Sequence, residues 1–133
     1  MTAKKAKEYL QQYRDAMRRT HAISDHIAEL RAVCEQLRTD DGHRIALDKA
    51  IAELVDTEAK CKAEVEQLAR LEDEIKCTIN QTREPYRTLL YERYINGLTW
   101  EKIAVGMNYS YVHVVHRLHP EALSAVHAII AGT

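Results

Sequence analysis

The 133 residues hold 19 Lys and Arg against 20 Asp and Glu, so no overall basic field announces nucleic acid. Four Gly, two Pro and no Phe, with abundant Ala, Glu, Leu, Lys and Arg, predict an all-α chain of one domain or two small ones. No stretch approaches the roughly 18 apolar residues that cross a bilayer, and Met1-Thr2-Ala3-Lys4-Lys5 does not open a signal-peptide core, so a soluble cytoplasmic protein without membrane contact is expected. Three Cys, at 34, 61 and 77, fit neither a disulfide framework nor paired metal ligands and read as reduced core thiols.

From Ala3 to about Arg38 no Gly or Pro interrupts the chain. Leu10, Tyr13, Met17, Ile23, Ile27, Leu30, Cys34 and Leu37 step mostly by three or four residues, the stripe of a long helix. Thr39-Asp40-Asp41-Gly42 is turn chemistry, with either Asp able to cap the helix that follows. A second long segment, Arg44 to about Thr82, carries Leu47, Ile51, Leu54, Cys61, Val65, Leu68, Ile75 and Ile79 on a heptad-like seam. Glu58 and Glu72 interrupt that seam as edge residues with solvated heads. The two segments predict an antiparallel, coiled-coil-like helical hairpin over 1–83, helices about 3–38 and 44–82, roughly 55 Å long. Val33, Ile45, Val55 and Leu71 lie off the seams and widen the apolar surface. A homodimer through the hairpin covers them; docking of the chain's own C-terminal part is the alternative.

Arg83-Glu84-Pro85 ends the second helix and opens a different unit, 84–133. A helix over 85–95, with Leu89, Leu90 and Tyr94 inward, stops at Asn96-Gly97. Thr99 caps a short helix that ends near Val105 and turns through Gly106-Met107-Asn108-Tyr109, and Ser110 caps the next. Two short capped helices joined by a tight Gly-containing turn make a helix-turn-helix, with Ala104 at the close crossing and Ile103, Met107, Val114 and Leu118 as its core. Trp100 fastens the first helix to that core, and Tyr111 is as well placed for contact as for packing.

Leu-Thr-Trp-Glu-Lys-Ile-Ala (98–104), Met-Asn-Tyr-Ser (107–110), Val114 and Arg-Leu-His (117–119) resemble region 4 of bacterial sigma factors over roughly residues 85–123. Nearly the full length is also similar to small phage transcriptional regulators of the RinA and ArpU type. It shares their opening Thr-Ala-Lys-x-Tyr-Leu-like stretch and a Tyr-Arg-x-Leu-Leu…Trp-Glu-x-Ile-Ala end. The resemblance implies binding of double-stranded DNA, with the last helix in the major groove and RNA polymerase as a further contact. Carried over by position, the reading residues are Ser110, Tyr111, His113, His116 and Arg117, with Thr99, Lys102 and Asn108 near the phosphate backbone.

The chain departs from region 4 in two respects. Arg117 is the one permanent cation of the reading helix, and residues 83–133 hold five Lys and Arg against four Asp and Glu, so a single copy binds feebly and a second reader is expected to help. Four His (113, 116, 119 and 127) are expected to strengthen binding on mild acidification. Pro120 is expected to kink the last helix or start a separate one, whose apolar side (Leu123, Val126, Ile129, Ile130) packs back on the helix beginning at Pro85 or on a partner.

His113, His116 and His119 recur every three residues without a carboxylate or Cys at matching spacing, and read as solvent-facing, not as a metal site. No Gly-rich phosphate loop, nucleophile elbow or metal cluster is present in the sequence, so neither enzymatic activity nor a cofactor is expected. The function expected is a phage or prophage DNA-binding transcriptional regulator in the bacterial cytoplasm. The alternatives are a small-terminase-like packaging component and a helical adaptor that does not bind DNA.

Overall fold

The computed structural model describes residues 2–39 and 42–132, and no strand occurs among them. The chain is all-helical. Helices α1 (Thr2–Thr39) and α2 (Arg44–Asn80) are followed by α3 (Tyr86–Leu90), α4 (Trp100–Met107), α5 (Tyr111–His113) and α6 (His119–Ala131). Two π-helical turns, Tyr91–Ile95 and Val114–Leu118, continue α3 and join α5 to α6. No helix of the described residues is long and apolar enough to cross a membrane. Asp40 and Asp41, the expected caps of α2, lie outside the described residues; Gly42 beside them has φ of +88°.

Two compact units form, Met1–Asp15 with Arg70–Thr133, and Ala16–Ala69. The first thus combines both ends of the sequence, whereas sequence punctuation places a boundary at 83/84. Its core gathers Leu10 of α1, Ile75 and Ile79 of α2, Leu89 and Leu90 of α3, Ile103 of α4, and Val114 and Val126 from the last helices, all nearly inaccessible to solvent. Each such aliphatic side chain contributes about 2 kcal/mol by leaving water. Tyr9 Oη lies 2.9 Å from Thr78 Oγ1, and Arg14 donates to the Ile95 carbonyl at 3.3 Å. The C-terminal helices and the outer turns of α1 and α2 therefore share one core.

The second unit is less well covered. Ile27, Leu30 and Cys34 of α1 are buried, but the α2 seam residues Leu47, Ile51, Leu54, Cys61 and Leu68 are only half-buried. Val33, Ile45, Val55 and Val65 are exposed. Glu58 accepts from Arg31 at 3.1 Å, and Glu72, in the first unit, pairs with Lys76 at 2.6 Å. These are partly exposed pairs of small energetic weight, as expected for seam-edge glutamates. Of the cysteines, Cys34 is buried, Cys61 half-buried and Cys77 exposed. Cys77 is no core thiol, because its neighbours Ile75, Thr78 and Ile79 take the inward side of α2.

The turn between α4 and α5 corrects the sequence reading. α4 runs on to Met107, two residues past the expected end, and the left-handed residue within the expected 106–109 turn is Asn108 (φ 61°, ψ 37°). Asn tolerates this region better than most side chains, and Tyr109 N–H closes the turn on the Ala104 carbonyl at 3.0 Å. Both caps are as expected: Thr99 Oγ1 accepts from Lys102 N at 3.3 Å and Ser110 Oγ from His113 N at 3.1 Å. α6 packs on α3, where Tyr86 donates to Glu121 at 2.6 Å and Leu123 and Val126 are buried. Thr99→Ala and Ser110→Ala should each lower the unfolding free energy by about 1 kcal/mol in urea titrations, and Asn108→Val should cost more than Asn108→Gly.

Candidate nucleic-acid interface

α4 and the helix that begins at Tyr111 pack through Ile103, Ala104, Val114 and Leu118, all buried. Packing on that side turns the opposite side of the second helix to solvent. Ser110, Tyr111, Val112, His116 and Arg117 are exposed and His113 half-buried. Of the expected backbone-contacting residues, Thr99, Lys102 and Asn108 are also exposed. Two of them carry structural duties as well, since Thr99 caps α4 and Asn108 supplies its left-handed end.

The charge of this surface is more constrained than composition suggests. Arg117 Nε lies 3.5 Å from Glu121 Oε1, one helical turn away. Glu121 is kept ionised by the hydrogen bond it accepts from Tyr86 and by Arg117, which hold its carboxyl below the usual range. Arg87 donates twice to the Thr82 carbonyl, at 3.0 and 2.8 Å. Arg93 donates to the Leu98 carbonyl at 3.0 Å and stacks its guanidinium 4.5 Å above the Trp100 ring. Three of the five cations counted over 83–133 thus have partners within the fold. The compact unit as a whole holds eleven Lys and Arg against nine Asp and Glu, a balance of +2. Exposed Lys4, Lys5 and Lys7 belong to it, a contribution the count over 83–133 omits.

His119 is not solvent-facing. It is 9% exposed, its Nε2 is 2.7 Å from Tyr94 Oη, and its ring lies 4.4 Å from that of Trp100. The π-turn Val114–Leu118 is the reason. A straight α-helix would put residue 119 in line with Val112 and His116, both exposed, whereas the wider turn, closed by His119 N–H on the Val114 carbonyl, swings it inward. The same turn takes the helix past Pro120, which stands in the first turn of α6. α6 starts there as a separate element, as expected of Pro120, although Leu118 and His119 keep right-handed helical dihedrals and no loop intervenes. Trp100 is half-buried between Arg93 and His119, where it fastens α4 to the core as expected.

Burial is the main cause that pushes the His119 pKa down to about 4, with Lys7 and Arg93 adding repulsion. Burial likewise pushes the Tyr94 phenol up to about 12, so a protonated phenol pairs with Nε2 of a neutral imidazole. His119 therefore leaves the group of histidines expected to strengthen binding on acidification. His113 is itself partly occupied, its ring 5.0 Å from that of Tyr109.

No family model, curated protein or solved structure matches the chain.

Because the folded-state pKa of His119 lies below the unfolded value near 6.5, the unfolded chain binds the extra proton between the two. The contribution of a neutral His119 is complete above about pH 6.5 and is lost as pH falls toward 4. Urea unfolding should lose on the order of 2–3 kcal/mol across that window from this residue, and His119→Gln should flatten the loss. Tyr94→Phe should cost about 1–2 kcal/mol at pH 7.

Proposed function

We propose that this chain is a DNA-binding transcriptional regulator of phage or prophage origin. Residues 1–83 form an antiparallel helical hairpin that dimerises, and 84–133 a helix-turn-helix of the sigma region 4 kind. The observation that carries this reading is the arrangement of α4 and the Ser110-capped helix. They are joined by a left-handed Asn108, share a buried seam at Ile103, Ala104, Val114 and Leu118, and leave the first turn of the second helix open to solvent. In such a unit the second helix enters the major groove and its N-terminal residues meet base edges. Tyr111, His113, His116 and Arg117 are the reading side chains, Ser110 starts the helix, and Thr99, Lys102 and Asn108 lie toward the phosphates.

The half-buried α2 seam and exposed Val33, Ile45, Val55 and Val65 favour a second copy along the hairpin. A dimer doubles the reading surface, which compensates for the engagement of Arg117 by Glu121. RNA polymerase is the partner on which the same surface, or the hairpin, acts in transcription. The cytoplasm of the bacterial host is the compartment.

Fluorescence anisotropy on duplex DNA should show binding that weakens steeply with salt. Lys102→Ala should lower the slope of log K against log salt by about 1. Absence of binding to both duplex DNA and RNA polymerase at low salt overturns the proposal, and unchanged activity after Arg117→Ala with His116→Ala favours an adaptor. Sedimentation equilibrium should give two chains of 15.3 kDa per particle, displaced toward one by Leu54→Glu. A ring of many copies would favour a packaging component.

A further inference from the structure

We infer that this chain selects its DNA targets through the C5-methyl groups of thymines, with Val112 as the principal contact and Tyr111 beside it. The inference rests on the DNA-binding reading above and names what that surface recognises. Around the Asn108 turn, Val105 is 78% exposed and Val112 64%, while Tyr109 and Tyr111 are exposed too. A valine so exposed in the first turn of a helix contributes nothing to the core beneath it, which Val114 and Leu118 fill.

Three polar groups nearby already have partners. Ser110 Oγ accepts the His113 amide, the His113 ring rests on Tyr109, and Arg117 is drawn to Glu121. Major-groove guanine is usually read by the paired donors of Arg or Lys, and adenine by the amide of Asn or Gln. Thymine alone of the four bases presents a methyl group there. Residues 110–116 read Ser-Tyr-Val-His-Val-Val-His and contain no Arg, Lys, Asn or Gln. Two exposed apolar side chains in the turn that reaches the base edges therefore match the one apolar feature the groove offers. Recognition by methyl contact also fits a surface poor in cations, since it needs no charge from the reading helix.

The test uses the full-length protein. Duplexes are first enriched from a random library, and each thymine of an enriched site is then replaced singly by deoxyuridine, which lacks only the methyl. At one or two positions of each half-site affinity should fall about fourfold, the effect of leaving one methyl-sized group unburied. Val112→Ala should erase that difference while keeping salt-dependent binding, and its exposure makes it harmless to the fold, which circular dichroism checks. Equal affinity for every deoxyuridine duplex, or full discrimination by Val112→Ala, overturns the thymine inference and leaves DNA binding standing. Failure to enrich any duplex overturns both.

Discussion

The hydrogen bond between Tyr94 and His119 is the constraint around which the C-terminal helices are arranged. Tyr94 lies within the π-turn Tyr91–Ile95, and His119 directly follows the π-turn Val114–Leu118, whose extra residue brings the imidazole inward. Without the wider turn before it, His119 would share the outward stripe of Val112 and His116, and the space against Trp100 would need another side chain. Paired, the phenol and imidazole bury two polar rings without leaving either unsatisfied, which the low-polarity interior demands. The pair ties the helix carrying the reading surface to the α3 helix behind it and, through Trp100, to α4.

This arrangement separates the duties of the histidines. His119 works as a neutral core residue, and His116 stands in solvent one turn before it. It also explains how Pro120 is accommodated. A proline lacks an amide hydrogen and crowds the carbonyl four residues back, so an α-helix running through it normally kinks. Here the change in pitch precedes the proline, and α6 begins with Pro120 in its first turn, where no donor is required.

The surface around the Ser110-capped helix is shaped as much by contacts within the fold as by what it displays. Arg87 and Arg93 serve backbone carbonyls, and Arg117 faces Glu121. Beside the exposed Lys102, His116 and Arg117, this surface displays Val105, Tyr109, Tyr111 and Val112. Basic residues near the N-terminus join the same compact unit only because the first turns of α1 pack there, so the charge of that unit combines distant parts of the chain.

The sequence by itself determined the helices, because spacing of apolar residues and the capping chemistry of Thr99 and Ser110 act locally and need no partner. It also determined the seam Ile103, Ala104, Val114 and Leu118, since each position has a size and spacing that only one side of a helix can use, whereas it left the last helix a choice between the helix beginning at Pro85 and a partner, which the structure resolves as α3. Tertiary structure decided the rest. The left-handed residue fell to Asn108 because α4 continued through Gly106, a choice between two permissive residues that local propensity does not make. The inward turn of His119 and the passage past Pro120 depend on π-turns, which shift every later side chain by one position and are invisible to a period of 3.6. Which cations face solvent was likewise decided by the carbonyls and carboxylates that folding brought beside them.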